Sequence, residues 1–124
     1  MVKQTVLFTS EELVYEYFRL ITKKDVQGLV NLFVNDCTIY EPFSKLDGLH
    51  GKAAIEHFFK VAVMANAGMN RNIRFVNNNK EQDSIVVLVT FEKGDSVTGR
   101  FEFHFVRNES GRKIRTLRIE FLVT

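Results

Sequence analysis

Three polar side chains of the sequence have the types and surroundings that acid–base chemistry needs: Glu41, Tyr17 and His104. Glu41 stands between Tyr40 and Pro42, an apolar setting of the kind in which a carboxylate can act as a general base. A solvated glutamate at the end of a strand is the alternative interpretation, because acidic side chains are usually exposed. Tyr17 is expected on the buried face of a helix, where a phenol either serves a site or bonds a core carbonyl.

The segment 100–105 alternates strictly between polar residues and phenylalanine. In a strand this pattern puts Arg100, Glu102 and His104 on one face and the three rings on the other. The ordinary interpretation of such a strand is that the rings form the core and the polar face is solvated. His104 is then a surface group rather than a site residue.

The other candidates carry weaker signals. His50 is expected at a turn or helix entry, His57 on a helix surface, Asp36 in a turn, and Cys37 as a small buried hydrophobe. The histidines and acidic residues show no spacing typical of a metal site. The sequence also has no glycine-rich phosphate loop, so neither a metal nor a cofactor is expected.

Three helices followed by a sheet must position these groups. The helices are predicted from a cap at Thr9 to Lys23, from a cap at Asp25 up to Asn35, and from Lys52 to about Met64, on apolar spacings of three and four. One short strand is predicted over Thr38 to Pro42. Four β segments with a period of two follow: Asn72 to Val76, Ser84 to Glu92, Ser96 to Val106 and Lys113 to Phe121. The turns between the last three are short, so they are expected to form an antiparallel meander.

Length and charge limit the class of protein. The chain has 124 residues, which suits one domain over 1–124, and its formal net charge of +2 disfavours nucleic acid as a partner. No apolar run reaches the roughly 18 residues of a membrane span, and the start lacks a signal-peptide pattern, so a cytoplasmic protein is expected. Twelve Phe and three Tyr supply much of the apolar area.

Several segments together resemble the nuclear transport factor 2-like superfamily, most closely the ketosteroid isomerase and polyketide cyclase-like proteins. The segments are Phe33 to Phe43, with its acidic residue before Pro-Phe, Leu49 to Phe59 at the start of the third helix, Tyr17, and the final hairpin at Gly111 to Ile114. The resemblance implies an α+β fold in which three N-terminal helices pack on a curved, mainly antiparallel sheet. The helices and the sheet would form a cone with an internal pocket.

The resemblance also implies a reaction. In the isomerases an acidic residue moves a proton next to a ketone while hydrogen-bond donors hold the enolate oxygen. The matching roles are Glu41 as base with Tyr17 and His104 as donors, acting without a cofactor on a small apolar carbonyl compound. Substrate contacts are expected from Phe18, Phe33, Phe58, Leu88, Glu102 and Phe121. A non-catalytic site for a small hydrophobic molecule and a dimeric protein-interaction domain are the alternatives.

The match of His104 to a cavity position allows for a shift of one residue in the hairpin, and it reverses the ordinary interpretation of the strand. It turns Phe101, Phe103 and Phe105 to the outside of the sheet. The neighbouring strand, residues 85–91, is apolar at nearly every position, as expected when both faces are covered. We therefore predict a homodimer through the outward Phe101, Phe103 and Phe105 face.

Overall fold

The structure is a computed structural model that describes residues 8–43, 47–108 and 111–122. Its elements follow in the order α1 (Ser10–Lys23), α2 (Val26–Asn31), β1 (Phe33–Tyr40), β2 (Leu49–His50), α3 (Lys52–Ala65), β3 (Asn70–Asn79), β4 (Ser84–Lys93), β5 (Asp95–Asn108) and β6 (Gly111–Leu122). The three helices pack on one face of an open six-stranded sheet, as the sequence predicted.

The first helix begins where the cap residues predict. Thr9 Oγ1 accepts a hydrogen bond from the Glu12 amide at 3.2 Å, and Glu12 Oε1 accepts one from the Thr9 amide at 3.0 Å. Two N–H groups that the first turn leaves unpaired are thereby satisfied. The helix ends at Lys24, which adopts the left-handed conformation with φ of 59°. Within these limits Tyr17 and Phe18 fall on the buried face.

Polar contacts fix the N-terminal end of α1 to the sheet. Arg112 Nη1 donates to Ser10 Oγ at 2.7 Å, and Ser10 Oγ donates to Asp83 Oδ1 at 3.0 Å. Asp83 adopts a positive φ of 50° in the turn between β3 and β4, and its carbonyl oxygen accepts from the Phe105 amide at 2.9 Å. These bonds join the helix that carries Tyr17 to β5, to β6 and to the turn between β3 and β4.

The sheet has the strand order β2-β1-β6-β5-β4-β3. The predicted meander of β4, β5 and β6 is confirmed, while β1 pairs parallel with β6. β1 begins at Phe33, earlier than predicted, so α2 is shorter than predicted, and β2 lies where no strand was predicted. The early start of β1 rests on the pairing of Phe33 with Ile114 of β6, which is distant in sequence. β2 is an edge strand of two residues that pairs with β1.

The rings of β5 form the core of the molecule. Phe101, Phe103 and Phe105 are 4%, 0% and 5% exposed and stack in a row on the face that the helices cover. The ring of Tyr17 lies 5.4 Å from that of Phe103, centroid to centroid. The prediction that these rings face outward is therefore wrong, and so is the dimer face built on them. A shift of one residue in a strand exchanges its faces, and matching His104 to the cavity needed such a shift.

Candidate functional site

A cavity of about 830 Å³ lies between the helices and the inner face of the sheet. We call the inner face the side that carries Phe91, Phe101, Ile119 and Phe121. The remaining walls come from α1, the residues after β1, and α3; they include Tyr17, Phe18, Ile21, Glu41, Pro42, Phe43, Ala54, His57, Phe58, Val61, Ala62 and Ala65. Most of this lining is apolar, so the few polar groups determine what chemistry the cavity can support.

A glycine on β5 makes room for the cavity wall. A Cβ atom at Gly99 would lie 2.9 Å from a ring carbon of Phe101 and 3.5 Å from the ring of Phe121. Both rings line the cavity. A larger residue at this position would push one or both of them aside.

Glu41 reaches the cavity from the end of β1. It is partly buried, and its Oε2 accepts a hydrogen bond from the Phe43 amide at 2.8 Å. No other hydrogen bond to this carboxylate comes from the described residues. One oxygen is thus oriented by the backbone, and the other keeps its capacity to accept a proton.

Tyr17 lies deeper, among aromatic rings. Its ring is 2% exposed and lies within 4.9–6.4 Å, between centroids, of the rings of Phe18, Phe59, Phe101 and Phe103. Burial raises the pKa of the Tyr17 phenol well above its ordinary value, and the nearby Arg71 cation opposes this. The phenol therefore stays protonated and can only donate to a ligand oxygen or accept weakly. None of the hydrogen bonds among described residues involves its hydroxyl.

His57 is the lining residue that sequence reasoning missed. It was predicted as a surface group, and it is exposed, but its side chain also lines the cavity. Along α3 it falls in register with Ala54, Phe58 and Val61, at the spacing of one helical face. Phe58 of that stripe was predicted to contact substrate, and extending the prediction to its neighbours on the same helical face is the signal that would have found His57.

His104 does not reach the cavity. It lies on the other side of the sheet, the outer face, which also carries Leu88, Arg100, Glu102 and Arg118. His104 Nε2 lies 2.8 Å from Glu102 Oε2, and Arg100 Nη2 donates to Glu102 Oε1 at 3.1 Å. The bond with His104, and then that with Arg100, holds the pKa of Glu102 below its usual range. Side chains on the two faces cannot converge, so His104, the predicted oxyanion donor, and Glu102 and Leu88, the predicted substrate contacts, lie apart from the cavity that Glu41 and Tyr17 line.

The remaining residues that were predicted to contact substrate lie partly in the cavity wall and partly in the core. Phe18, Phe58 and Phe121 line the cavity. Phe33, also predicted as a substrate contact, is 1% exposed and packs in the core with its ring 5.6 Å from that of Phe59, outside the cavity lining. Cys37 is buried, and burial raises the pKa of its thiol.

Within residues 8–43, 47–108 and 111–122, three or more metal-binding side chains do not come together anywhere. None of the helices there is long and apolar enough to cross a bilayer.

Comparison with known proteins agrees with this architecture. The model of the Nuclear transport factor 2 (NTF2) domain matches residues 9–108. No curated protein matches the sequence significantly.

Solved structures with the same fold differ in what they are named for. A candidate calcium/calmodulin-dependent protein kinase type II association domain from Thiobacillus denitrificans has a TM-score of 0.76 at 13% identity, covering 97% of this chain and all 100% of its own. The epoxide hydrolase/cyclase-like enzyme SalBIII, which has a role in pyran ring formation in salinomycin, has a TM-score of 0.67 at 25% sequence identity. The match covers 92% of this chain and 91% of SalBIII. A candidate scytalone dehydratase from Novosphingobium aromaticivorans has a TM-score of 0.70 at 15% sequence identity. The match covers 91% of this chain and 81% of the dehydratase.

Proposed function

The chain belongs to the nuclear transport factor 2 domain family, and from the cavity that this fold encloses we propose that it binds a small, flat, apolar carbonyl compound. In this proposal Glu41 transfers a proton on the bound compound, and no cofactor takes part. The reaction is an isomerisation or a related cyclisation.

One observation carries the proposal. Glu41 is the only carboxylate among the described residues that line an otherwise mostly apolar cavity, and Tyr17 lines the same cavity with a protonated phenol. The volume of about 830 Å³ falls in the roughly 300–1,000 Å³ range of small-molecule sites. A base and a hydrogen-bond donor around one apolar space are what proton abstraction next to a carbonyl requires.

The chemical step uses these two residues in turn. Glu41 takes a proton from the carbon next to the carbonyl, and the electrons of that C–H bond form a C=C bond. The carbonyl electron pair moves onto oxygen, where the Tyr17 hydroxyl donates a hydrogen bond to the enolate. Glu41 then returns the proton to the same or another carbon, so that no atom is gained or lost.

The structural neighbours support a small-molecule function in part. Two are named for chemistry on small organic molecules, and a third is named as an association domain of a kinase. Because one scaffold carries both kinds of function, the fold alone does not decide between them. The residues of the cavity favour chemistry on a small molecule.

A non-catalytic binding site is the second candidate. Glu41 already accepts the Phe43 amide, so it could orient a ligand by its second oxygen without removing a proton. A homodimer stays a prediction, but it would need a surface other than Phe101, Phe103 and Phe105, which the helices cover.

Hydrogen–deuterium exchange at the carbon next to a ketone tests the proposal directly. A panel of cyclic enones is incubated with the protein in deuterated water, and loss of the proton signal is followed by NMR. We expect Glu41→Gln to slow exchange by about 10²- to 10⁴-fold, the usual contribution of a general base. Glu120→Gln is the matched control, because Glu120 is exposed on β6 opposite Arg100 of the outer face.

Two results separate the candidates. Equal exchange with wild type and Glu41→Gln contradicts the role of Glu41 as base. Thermal stabilisation by the enones without any exchange by the wild type supports binding without catalysis.

A further inference from the structure

Arg71 on β3 is directed toward the cavity side of the sheet. It pairs directly with Phe91 on β4, whose side chain lines the cavity. Its Nη2 donates to the Phe18 carbonyl oxygen at 3.3 Å, and its Cζ lies 6.0 Å from the centre of the Phe18 ring. The guanidinium therefore lies immediately behind the wall formed by α1.

One nitrogen of this guanidinium is left without a partner. Arg71 Nη1 is buried and makes no hydrogen bond within the described part of the chain. The ion pairs found there involve other arginines, namely Arg19, Arg100, Arg112 and Arg115. A buried donor with no acceptor costs free energy, so it points to an acceptor that binds there.

Tyr17 is the polar neighbour of this cation. Burial lowers the pKa of Arg71, and interaction with Tyr17 opposes that effect. The guanidinium nevertheless stays charged, since arginine keeps its proton throughout the physiological range. Tyr17 thus lines the cavity as a phenol donor, and a positive charge lies beside it, behind the wall that Tyr17 and Phe18 form.

We propose that Arg71 and Tyr17 form a subsite for an anionic ligand oxygen, with Tyr17 as the hydrogen-bond donor and Arg71 as the charge behind it. The inference rests on the proposed use of the cavity for a ligand. It assigns to Arg71 the electrostatic role that the sequence had suggested for His104. Arg71 is partly buried, so solvent screens its charge less than it screens a charge at the surface.

The subsite narrows the class of ligand. A planar apolar compound with a carboxylate, or with an oxygen that becomes negative as an enolate, places that oxygen beside Tyr17. Glu41 repels a second anionic group elsewhere in the cavity. The preferred ligand is thus apolar along its body and carries one acidic or enolisable end.

Two nearly isosteric probes test this without any turnover. The affinities of 2-naphthoate and 2-naphthamide are measured by calorimetry for wild type, Arg71→Met, Arg71→Lys and Arg74→Met. We expect the wild type to prefer the charged probe by about tenfold, as a charge-assisted contact would give. Arg71→Met should abolish the preference, and Arg71→Lys should restore part of it. Arg74→Met should leave it unchanged, because Arg74 is exposed on the same strand and pairs with Leu88 of the outer face.

The ratio of the two affinities is the readout, because a general loss of packing weakens both probes alike. Arg71→Gln serves as a second neutral variant if methionine is not tolerated. An unchanged ratio in the neutral variants overturns this inference alone. Failure of both probes to bind the wild type overturns it together with the proposed use of the cavity.

Discussion

The two faces of the sheet each carry a set of polar groups, and the two sets differ in how far their members hydrogen-bond to one another. On the outer face, Arg100, Glu102 and His104 bond to each other along one strand. On the inner side, Glu41 and Tyr17 reach the cavity with hydrogen-bonding capacity unused by the described residues. Polar groups that are already paired hold a surface together, whereas those kept unpaired next to an apolar space are available to a ligand.

Arg71 extends the contrast. Its buried Nη1 lacks a partner, while Arg118 of the outer face packs its guanidinium 4.2 Å from the centre of the Tyr40 ring. Of these two guanidinium groups, the one with a buried unpaired nitrogen lies on the cavity side. The placement of unpaired groups, more than the identity of any one residue, indicates which face of the sheet binds a ligand.

The largest expected effect concerns the assignment of the two faces. Phe103→Ala should destabilise the protein by about 3–5 kcal/mol, because the ring is fully buried and its loss leaves a cavity in the core. Leu88→Ala, on the outer face of β4, should cost much less because Leu88 is only partly buried. Urea unfolding measures both. Comparable losses for the two variants would mean that the outer face is also covered.

The next effect separates catalysis from stability at Tyr17. Tyr17→Phe removes a hydroxyl that has no partner among the described residues, so the free energy of unfolding should change by less than about 1 kcal/mol. Proton exchange on an enone should fall by about 10²- to 10³-fold, as on loss of an oxyanion donor. Denaturant titration and exchange are measured on the same preparation. A stability loss without an effect on exchange would make Tyr17 a structural residue.

Filling the cavity should act on binding alone. Ala62→Phe adds a ring on the cavity face of α3 and should weaken binding of 2-naphthamide by at least about tenfold, since its volume overlaps that of a ligand. Ala53→Phe is the matched control, because Ala53 is exposed on the same helix and is not a lining residue. Calorimetry compares the two. Equal affinities would exclude the cavity as the binding site.

The smallest effect is expected on the outer face and depends on pH. The lowered pKa of Glu102 means that its stabilising contribution is present at neutral pH and is lost as the pH falls through that lowered value. Glu102→Gln should therefore destabilise the protein by at most about 1 kcal/mol at pH 7. The difference should vanish in acid, below the ordinary range of a glutamate. Thermal unfolding at several pH values measures it, and a difference independent of pH would contradict the role of the charge.

Much of the fold could be predicted from local signals. The capping box at Thr9 and the helical spacing of apolar residues located α1 and α3, and the period of two located the meander. The early start of β1 depends on its pairing with β6, far away in sequence, and β2 is a strand of two residues, too short to show a period. Helices and hairpins were therefore easier to predict than pairings at the edge of the sheet.

The site was predicted less well, and its errors have physical causes. Alternation alone puts Phe101 and Phe103 in the core, and only the one-residue shift required by the family match exchanged the faces. Arg71 was missed because the predicted strand began at Asn72. Beginning it at Asn70, as the structure does, puts Arg71 on the same face as Ile73, which packs against the core.

The central claim is that ligands bind on the inner side of the sheet, and intermolecular NOEs test it most directly. The protein is prepared with labelled isoleucine and leucine methyl groups, and 2-naphthamide is added. We predict NOEs from the ligand to Ile21 and Ile119, which line the cavity, and none to Leu88 on the outer face. NOEs to Leu88 without any to Ile21 or Ile119 would contradict the account.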